Sequence, residues 1–189
     1  LARPPRRNLA ILCIALFTLA EFVQPGGRTS GWLACAAAAA LCNLMGDWHV
    51  GRPLLRRLPL MLYAVYACMA LGYALIGTAL LAGGPGASAG RHLLTVGAIG
   101  LSIYAVICIA GRAHCGYPSD ERPWVAQGAV LIVAGALLRA GAAFVPDVAS
   151  VLLGLAGLCW VAAFGLLCWR IAPVPMCCWR IRARCLSAC

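Results

Sequence analysis

The sequence contains few charged residues and no long polar stretch. Only 11% of its 189 residues are charged, five of them are acidic, none is lysine, and 63% are hydrophobic. A water-soluble domain carries about 25% charged residues, so this chain has too few of them to cover a surface that faces water. The composition therefore excludes an ordinary soluble globular domain.

Long apolar runs take the place of the missing polar surface. Runs of about 20 apolar residues between short charged loops indicate membrane-spanning helices. Six such runs can be marked, near residues 8–24, 31–46, 59–82, 92–111, 124–145 and 148–169. We therefore predict an all-α integral membrane bundle of about six transmembrane helices in residues 1–172, followed by a short Arg/Cys-rich tail in residues 173–189.

The 15 basic residues are all arginines and are divided unequally between the two ends of the predicted spans. Arg28 and Arg91 flank one side, and Arg139 lies inside a span. Basic residues in short loops stay in the cytoplasm, so the arginine-rich side and both termini are predicted to be cytoplasmic. The net charge of +10 then reflects the orientation of the spans in the membrane. We therefore predict that the chain interacts with a lipid bilayer and not with nucleic acid. The arginine-rich side holds the other twelve, which are Arg3, Arg6, Arg7, Arg52, Arg56, Arg57, Arg112, Arg122, Arg170, Arg180, Arg182 and Arg184.

The 12 cysteines do not form the pattern of a disulfide framework. Seven lie within apolar runs, where a free cysteine behaves as a small hydrophobic residue. Four lie in the tail beside three arginines, where they could bind a metal, be acylated next to the membrane, or do neither. Their spacing matches no strong zinc signature.

Three ionisable residues are predicted to lie near the outer ends of different spans. Ionisable residues within the membrane are energetically costly and usually serve a function. Glu21 lies near the end of the first span and His92 opens the fourth. Arg139 lies about six residues before the end of the fifth, or roughly 9 Å below the boundary. Small residues surround Arg139 at helical spacing, so its face should pack inside the bundle. Its partner is then Glu21 or an anionic group of a ligand, unless the side chain snorkels outward.

The three histidines divide between the two sides of the membrane. His92 is either an interfacial or capping residue or a ligand to haem iron, copper or zinc. Together with Arg139 it suits a haem, because the iron needs an axial nitrogen and the propionates need cations near the water boundary. His49 and His114 lie on the cytoplasmic side. His114 precedes Cys115, which makes the pair either soft-metal ligands or part of a turn.

Several segments resemble the C-terminal half of NnrS-family proteins, namely "HLLTVGAIGL", "HCGYP", "ALLRAGAAF" and "LCWVAAFGLLCWRIAP". The resemblance implies a polytopic bacterial membrane protein, associated with haem and copper, that helps cells to tolerate nitric oxide. The family's histidine before "LTVGAIG" falls on His92, its turn histidine on His114, and the arginine of its following span on Arg139. Three positions depart from the family pattern, namely Pro59, Ile109 and Tyr117.

The combined prediction is an NnrS-like protein of the bacterial inner membrane that acts in the nitric oxide response. The resemblance implies a haem or copper cofactor, with His92 as ligand, Arg139 as counter-charge and His114 as a further metal ligand. Family members have roughly twice as many spans, so we expect either a missing N-terminal half or a second membrane subunit. No nucleophile–base pair or phosphate loop is present, so no enzymatic activity is predicted. Two alternatives stay open, a small transporter or channel lined by Arg139 and Glu21, and a structural membrane subunit without cofactor.

Overall fold

The structure, a computed structural model, describes residues 4–48, 51–113 and 122–171, and every regular element in these ranges is a helix. This confirms the predicted all-α class. Three short 3-10 turns, Gly46–Trp48, Arg52–Leu55 and Pro146–Val148, connect the longer helices. The α-helices are α1 (Pro4–Val23), α2 (Arg28–Met45), α3 (Arg57–Ala82), α4 (Gly86–His92), α5 (Gly100–Ala113), α6 (Pro123–Gly141) and α7 (Ala149–Ile171).

The π-helix Leu93–Ile99 joins α4 to α5 without a break. We refer to α4, this π-helix and α5 together as the π-containing span. The described ranges therefore contain six long helical segments, as the six apolar runs predicted. They are α1, α2, α3, the π-containing span, α6 and α7. Four of them, α3, the π-containing span, α6 and α7, are long and apolar enough to cross a membrane.

Proline and glycine set the ends of several helices. Pro123 occupies the first turn of α6, where its fixed φ suits a helix and its missing N–H costs nothing. The φ angles of Gly83 and Gly84 are 85° and 100°, a left-handed conformation that glycine adopts without steric cost. These two residues end α3 and allow the chain to enter α4 three residues later.

The helices pack mainly against their neighbours in the chain, in the order α1, α2, α3, the π-containing span, α6 and α7. One core joins α1, α2 and α3, and in it the small residues of α2 pack with the buried Tyr73 and Ile76 of α3. A second core joins α3, α5, α6 and α7 around the fully buried Tyr104 and Leu101. The hydroxyl of Tyr104 donates a hydrogen bond to the carbonyl oxygen of Trp124 over 3.3 Å. The helix α3 belongs to both cores and therefore holds the two halves of the bundle together.

The backbones of α3 and α4 approach each other where two glycines face. A Cβ atom added to Gly90 would come closer than 3 Å to the carbonyl oxygen of Gly72 and to the side chain of Ile76. Small residues permit such close crossings. In a bilayer the hydrophobic effect does not drive helices together, so the van der Waals contacts at such a crossing stabilise their association. This crossing fixes the position of α4 on α3.

An ion pair ties the start of α1 to the end of α2. The Arg6 guanidinium lies 2.6 Å from a carboxylate oxygen of Asp47, whose side chain is 7% exposed. The same guanidinium donates to the carbonyl oxygen of Asn43 over 3.3 Å. Charge-assisted hydrogen bonds of this kind are stronger than neutral ones, so they hold the first two helices together at the arginine-rich end.

Candidate functional site

The π-helix separates His92 from the rest of its span. The N–H of Gly100 donates to the carbonyl oxygen of Thr95, the five-residue spacing of a π-turn. The positions of Gly97 and Gly100 leave room for neighbours, since added Cβ atoms would meet the Cys68 side chain and the indole nitrogen of Trp160. π-turns within α-helices are frequent at functional sites. No motif in the sequence predicted this one.

His92 lies farther inside its helix than predicted. The helix begins at Gly86, so His92 follows six residues later, about 9 Å along the axis, and does not open the span. The small residues Gly86, Ala89 and Gly90 are buried, because they pack closely on α3, and this packing extends the helix beyond its most apolar part. The His92 side chain is half-buried and directly precedes the π-helix.

Arg139 lies nearer the end of its helix than predicted. The helix α6 ends at Gly141, two residues after Arg139 and not six. The chain leaves the helix in a turn at residues 142–144, ahead of Pro146, which begins the next 3-10 turn. The apolar run continued to residue 145 in sequence, but its last residues belong to this turn.

The structure nevertheless brings Arg139 and His92 close together. On α6, Ala136 and Ala140 are buried against Ala89 and Leu93 of the π-containing span. Arg139 directly precedes Ala140, and the Arg139 guanidinium lies within electrostatic range of the His92 imidazole. His92 and Arg139, 47 positions apart in the sequence, thus lie on two helices that contact each other mainly through small side chains.

A pocket of about 310 Å³ lies between the π-helix, α6 and α7. Among the described residues that line it, Arg139 is the one that carries a charge. The rim of the pocket lies at the surface of the bundle, since Leu153, Trp160 and Val161 are 38%, 41% and 69% exposed. His92 does not line it, but Val96 does, four residues further along the same span. The lining residues are Val96, Arg139, Leu153, Ala156, Gly157, Trp160 and Val161.

Trp160 forms one wall of this pocket, a role that the sequence did not reveal. Its ring centroid lies 4.3 Å from that of Phe164 at an interplanar angle of 40°, and the contact orients the indole. In the sequence, Trp160 lies within "LCWVAAFGLLCWRIAP", one of the segments that carry the family resemblance. A signal was available, because a tryptophan four residues before a phenylalanine places two large rings on one helix face.

Glu21 is not the partner of Arg139. Its carboxylate accepts a hydrogen bond from the N–H of Gly26 over 3.0 Å and closes the turn after α1, and α1 packs on α2. No carboxylate in the described ranges lies within salt-bridge distance of Arg139. Of the partners suggested by the sequence, an anionic group on a ligand is therefore the one that still fits, beside the alternative of snorkelling.

The remaining sequence candidates contribute less to this site. His49, His114 and the tail cysteines lie outside the described residues. Within residues 4–48, 51–113 and 122–171, no group of three or more His, Cys, Asp or Glu side chains could hold a metal ion. The seven cysteines in these ranges form no disulfide bond.

Comparison with known proteins gives one match. A family model described as NnrS protein matches residues 1–176, which is most of the chain. Neither a curated protein nor a solved structure matches it.

Proposed function

Since the chain belongs to the NnrS family, we propose that it is a membrane protein of the bacterial nitric oxide response that binds haem beside His92. The observation that supports a binding site is an open, largely apolar pocket lined by Arg139. His92 lies four residues before the lining residue Val96 on the same span and within electrostatic range of Arg139. The bilayer makes ionisable side chains costly, and those that occur near its core usually serve function.

The donor set fits a haem better than a bare metal ion. A copper ion bound by side chains needs several soft or imidazole ligands, and the described residues offer no group of three. A haem can be held by one imidazole of the protein, and His92 would provide it. The guanidinium of Arg139 can pair with a carboxylate in a two-pronged arrangement, which suits a propionate.

Each residue around the pocket then has a distinct role. Bound haem would supply an iron with a free position for a small diatomic ligand such as nitric oxide. His92 would hold the iron, and Arg139 would neutralise an anionic substituent and fix its orientation. Trp160 and Val96 would exclude water from the flat apolar part, because their side chains form walls of the pocket.

The arginine distribution supports an orientation in the bacterial inner membrane. The start of α1, the start of α3 and the end of α7 lie on the arginine-rich side of the bundle. Arg28 and Arg91 lie on the opposite side. The positive-inside rule assigns that end to the cytoplasm. The His92 site would then lie near the periplasmic side, where a membrane-permeable gas meets it directly.

A structural subunit without cofactor is the second candidate, and α7 favours it. Only 17% of its most apolar window is buried, and Cβ atoms added to Gly154, Gly157 or Gly165 would meet nothing within 4 Å. Small residues on an exposed face permit another helix to pack closely. A second membrane chain, or a further part of a longer protein, would fit there.

The two candidates differ in the visible absorption spectrum. We expect the protein, purified in detergent and titrated with haemin, to develop a Soret band that saturates at one haem per chain. Addition of nitric oxide under anaerobic conditions should then shift the band. A spectrum that shows only free haemin at every ratio would contradict the haem proposal and leave the structural subunit.

The role of Arg139 is tested by Arg139→Leu with Arg139→Lys as control. Without a carboxylate partner in the described residues, Arg139 has no ion pair to lose, so Leu should leave thermal stability unchanged or raise it. Haemin affinity should fall about tenfold, because one charge-assisted contact contributes roughly 1.5 kcal/mol. Lys keeps the charge and should retain part of that affinity. Unchanged haemin binding in the Leu variant would show that Arg139 only snorkels.

A further inference from the structure

We propose that a groove between α3 and α6 binds one anionic phospholipid of the arginine-rich leaflet, with its headgroup on Arg56 and Arg57. The groove has a volume of about 410 Å³. It lies on another part of the bundle from the His92 pocket and shares no lining residue with it. The inference is therefore independent of the haem proposal.

The groove has the shape of a site for an acyl chain. On α3 its wall is formed by Arg57, Leu60, Met61 and Ala64, which recur at helical spacing on one face. On α6 the wall extends from Ala126 to Leu137, and alanines alternate there with larger apolar side chains. The fully buried Leu101 lies between the two walls. The two helices contact each other at few positions, so the space between them stays open.

The groove is long enough to hold the part of an acyl chain that lies in one leaflet. Ala126 and Leu137 are eleven positions apart in α6, which corresponds to about 16 Å at 1.5 Å per residue. The hydrocarbon core of a bilayer is about 30 Å thick, so one leaflet provides about 15 Å. Val130 and Leu137 are 66% and 54% exposed, and the groove therefore opens sideways to lipid along its length.

A second, more polar opening continues the groove at its arginine end. It has a volume of about 730 Å³, is lined by Leu55, Arg56, Arg57, Leu58 and Pro59, and shares Leu55 and Arg57 with the groove. Among the described residues that line the two openings there is no Asp or Glu. Both arginine side chains are exposed. Two guanidinium groups above an apolar slot complement a phosphate attached to an acyl chain.

Charge complementarity selects the lipid over other occupants of the groove. A neutral transmembrane helix would fill the apolar part but would leave both guanidinium groups without a counter-charge. A zwitterionic lipid such as phosphatidylcholine carries its own cation, which the two arginines would repel. Phosphatidylglycerol presents a phosphate without a competing cation, and basic pockets beside transmembrane helices bind such headgroups.

The test is native mass spectrometry of the chain in detergent with phosphatidylglycerol or phosphatidylcholine of identical acyl chains. The wild-type chain should retain one phosphatidylglycerol more tightly than phosphatidylcholine. The double variant Arg56→Gln/Arg57→Gln should weaken this adduct roughly tenfold. The matched control Arg28→Gln/Arg91→Gln removes two exposed arginines from the opposite side and should leave it unchanged.

A second pair of variants tests the apolar part of the site. Ala126→Leu/Ala134→Leu fills the groove without a change of charge and should abolish the adduct, whereas Ala162→Leu on the exposed face of α7 should preserve it. Equal retention of both lipids, or an unchanged adduct in the Arg56→Gln/Arg57→Gln variant, would overturn the proposal. Displacement of the lipid by glycerol phosphate alone would also overturn it, because the acyl groove would then contribute nothing. If the wild type were a dimer and the Ala126→Leu/Ala134→Leu variant a monomer, a second copy of the chain would be the occupant of the groove instead.

Discussion

His92→Ala is expected to abolish the haem Soret band while the protein stays folded. His92 is the one histidine within the described residues, so under the haem proposal its removal would leave the iron without an imidazole from this part of the chain. Alanine is the best helix former and the side chain is only half-buried, so the helix should persist. The measurement is haemin titration of detergent-purified wild type and variant, with folding matched by circular dichroism and gel filtration.

Three controls distinguish ligation from a general defect. Added imidazole should restore the Soret band of His92→Ala, because a free ligand can replace the deleted ring. His49→Ala and His114→Ala should keep the band, since both histidines are predicted on the opposite side of the membrane. Equal haem content in wild type and His92→Ala would mean that the histidine is an interfacial residue and that another group binds any haem.

Gly90→Ala is expected to destabilise the bundle strongly. The new Cβ would strike the Gly72 carbonyl oxygen and the backbone nitrogen of Ile76, which are parts of a rigid helix and cannot turn aside as a side chain can. Overpacking of this kind costs up to about 3 kcal/mol or more. Thermal unfolding in detergent should show a clearly lower midpoint, together with a reduced yield of monodisperse protein.

Gly154→Ala is the matched control for Gly90→Ala. It adds the same methyl group to another transmembrane helix at a position with nothing within 4 Å. Its midpoint should equal that of the wild type or exceed it slightly, because alanine favours a helix by about 1 kcal/mol over glycine. Equal midpoints for the two variants would show that α3 and α4 do not cross at Gly72 and Gly90.

The number and order of the helices could be predicted because apolar runs of membrane length mark them directly. The depths of His92 and Arg139 could not, since helix ends depend on packing as well as on hydropathy. The small residues 86–90 extend one helix because they fit against α3, and the turn ahead of Pro146 shortens another. The hydropathy pattern predicts neither the extension of the first helix nor the shortening of the second.

The candidate site was only partly accessible from the sequence. That His92 and Arg139 lie toward the same end of the bundle followed from the direction in which each span crosses the membrane. The pairing of Arg139 with Glu21 was wrong, because two residues on the same side can belong to helices that do not touch. The π-helix had no sequence signal, since glycines such as Gly97 permit a π-turn without requiring it. The pocket wall at Trp160 depends on which face of α7 meets α6, and that face is set by the close contact at Gly135.

The modest hydrophobicity of the first two helices has a consequence for biogenesis. Neither α1 nor α2 is among the four described helices that are long and apolar enough to cross a membrane, and six of the eight buried residues of α2 are Ala, Gly or Ser. Its backbone lies against α3, where a Cβ atom on Gly77 would touch Cys35 and the carbonyl oxygen of Gly31. We therefore expect α1 and α2 to depend for their place in the bilayer on the contact with α3 more than on their own hydropathy. Their stable insertion should then follow the synthesis of α3.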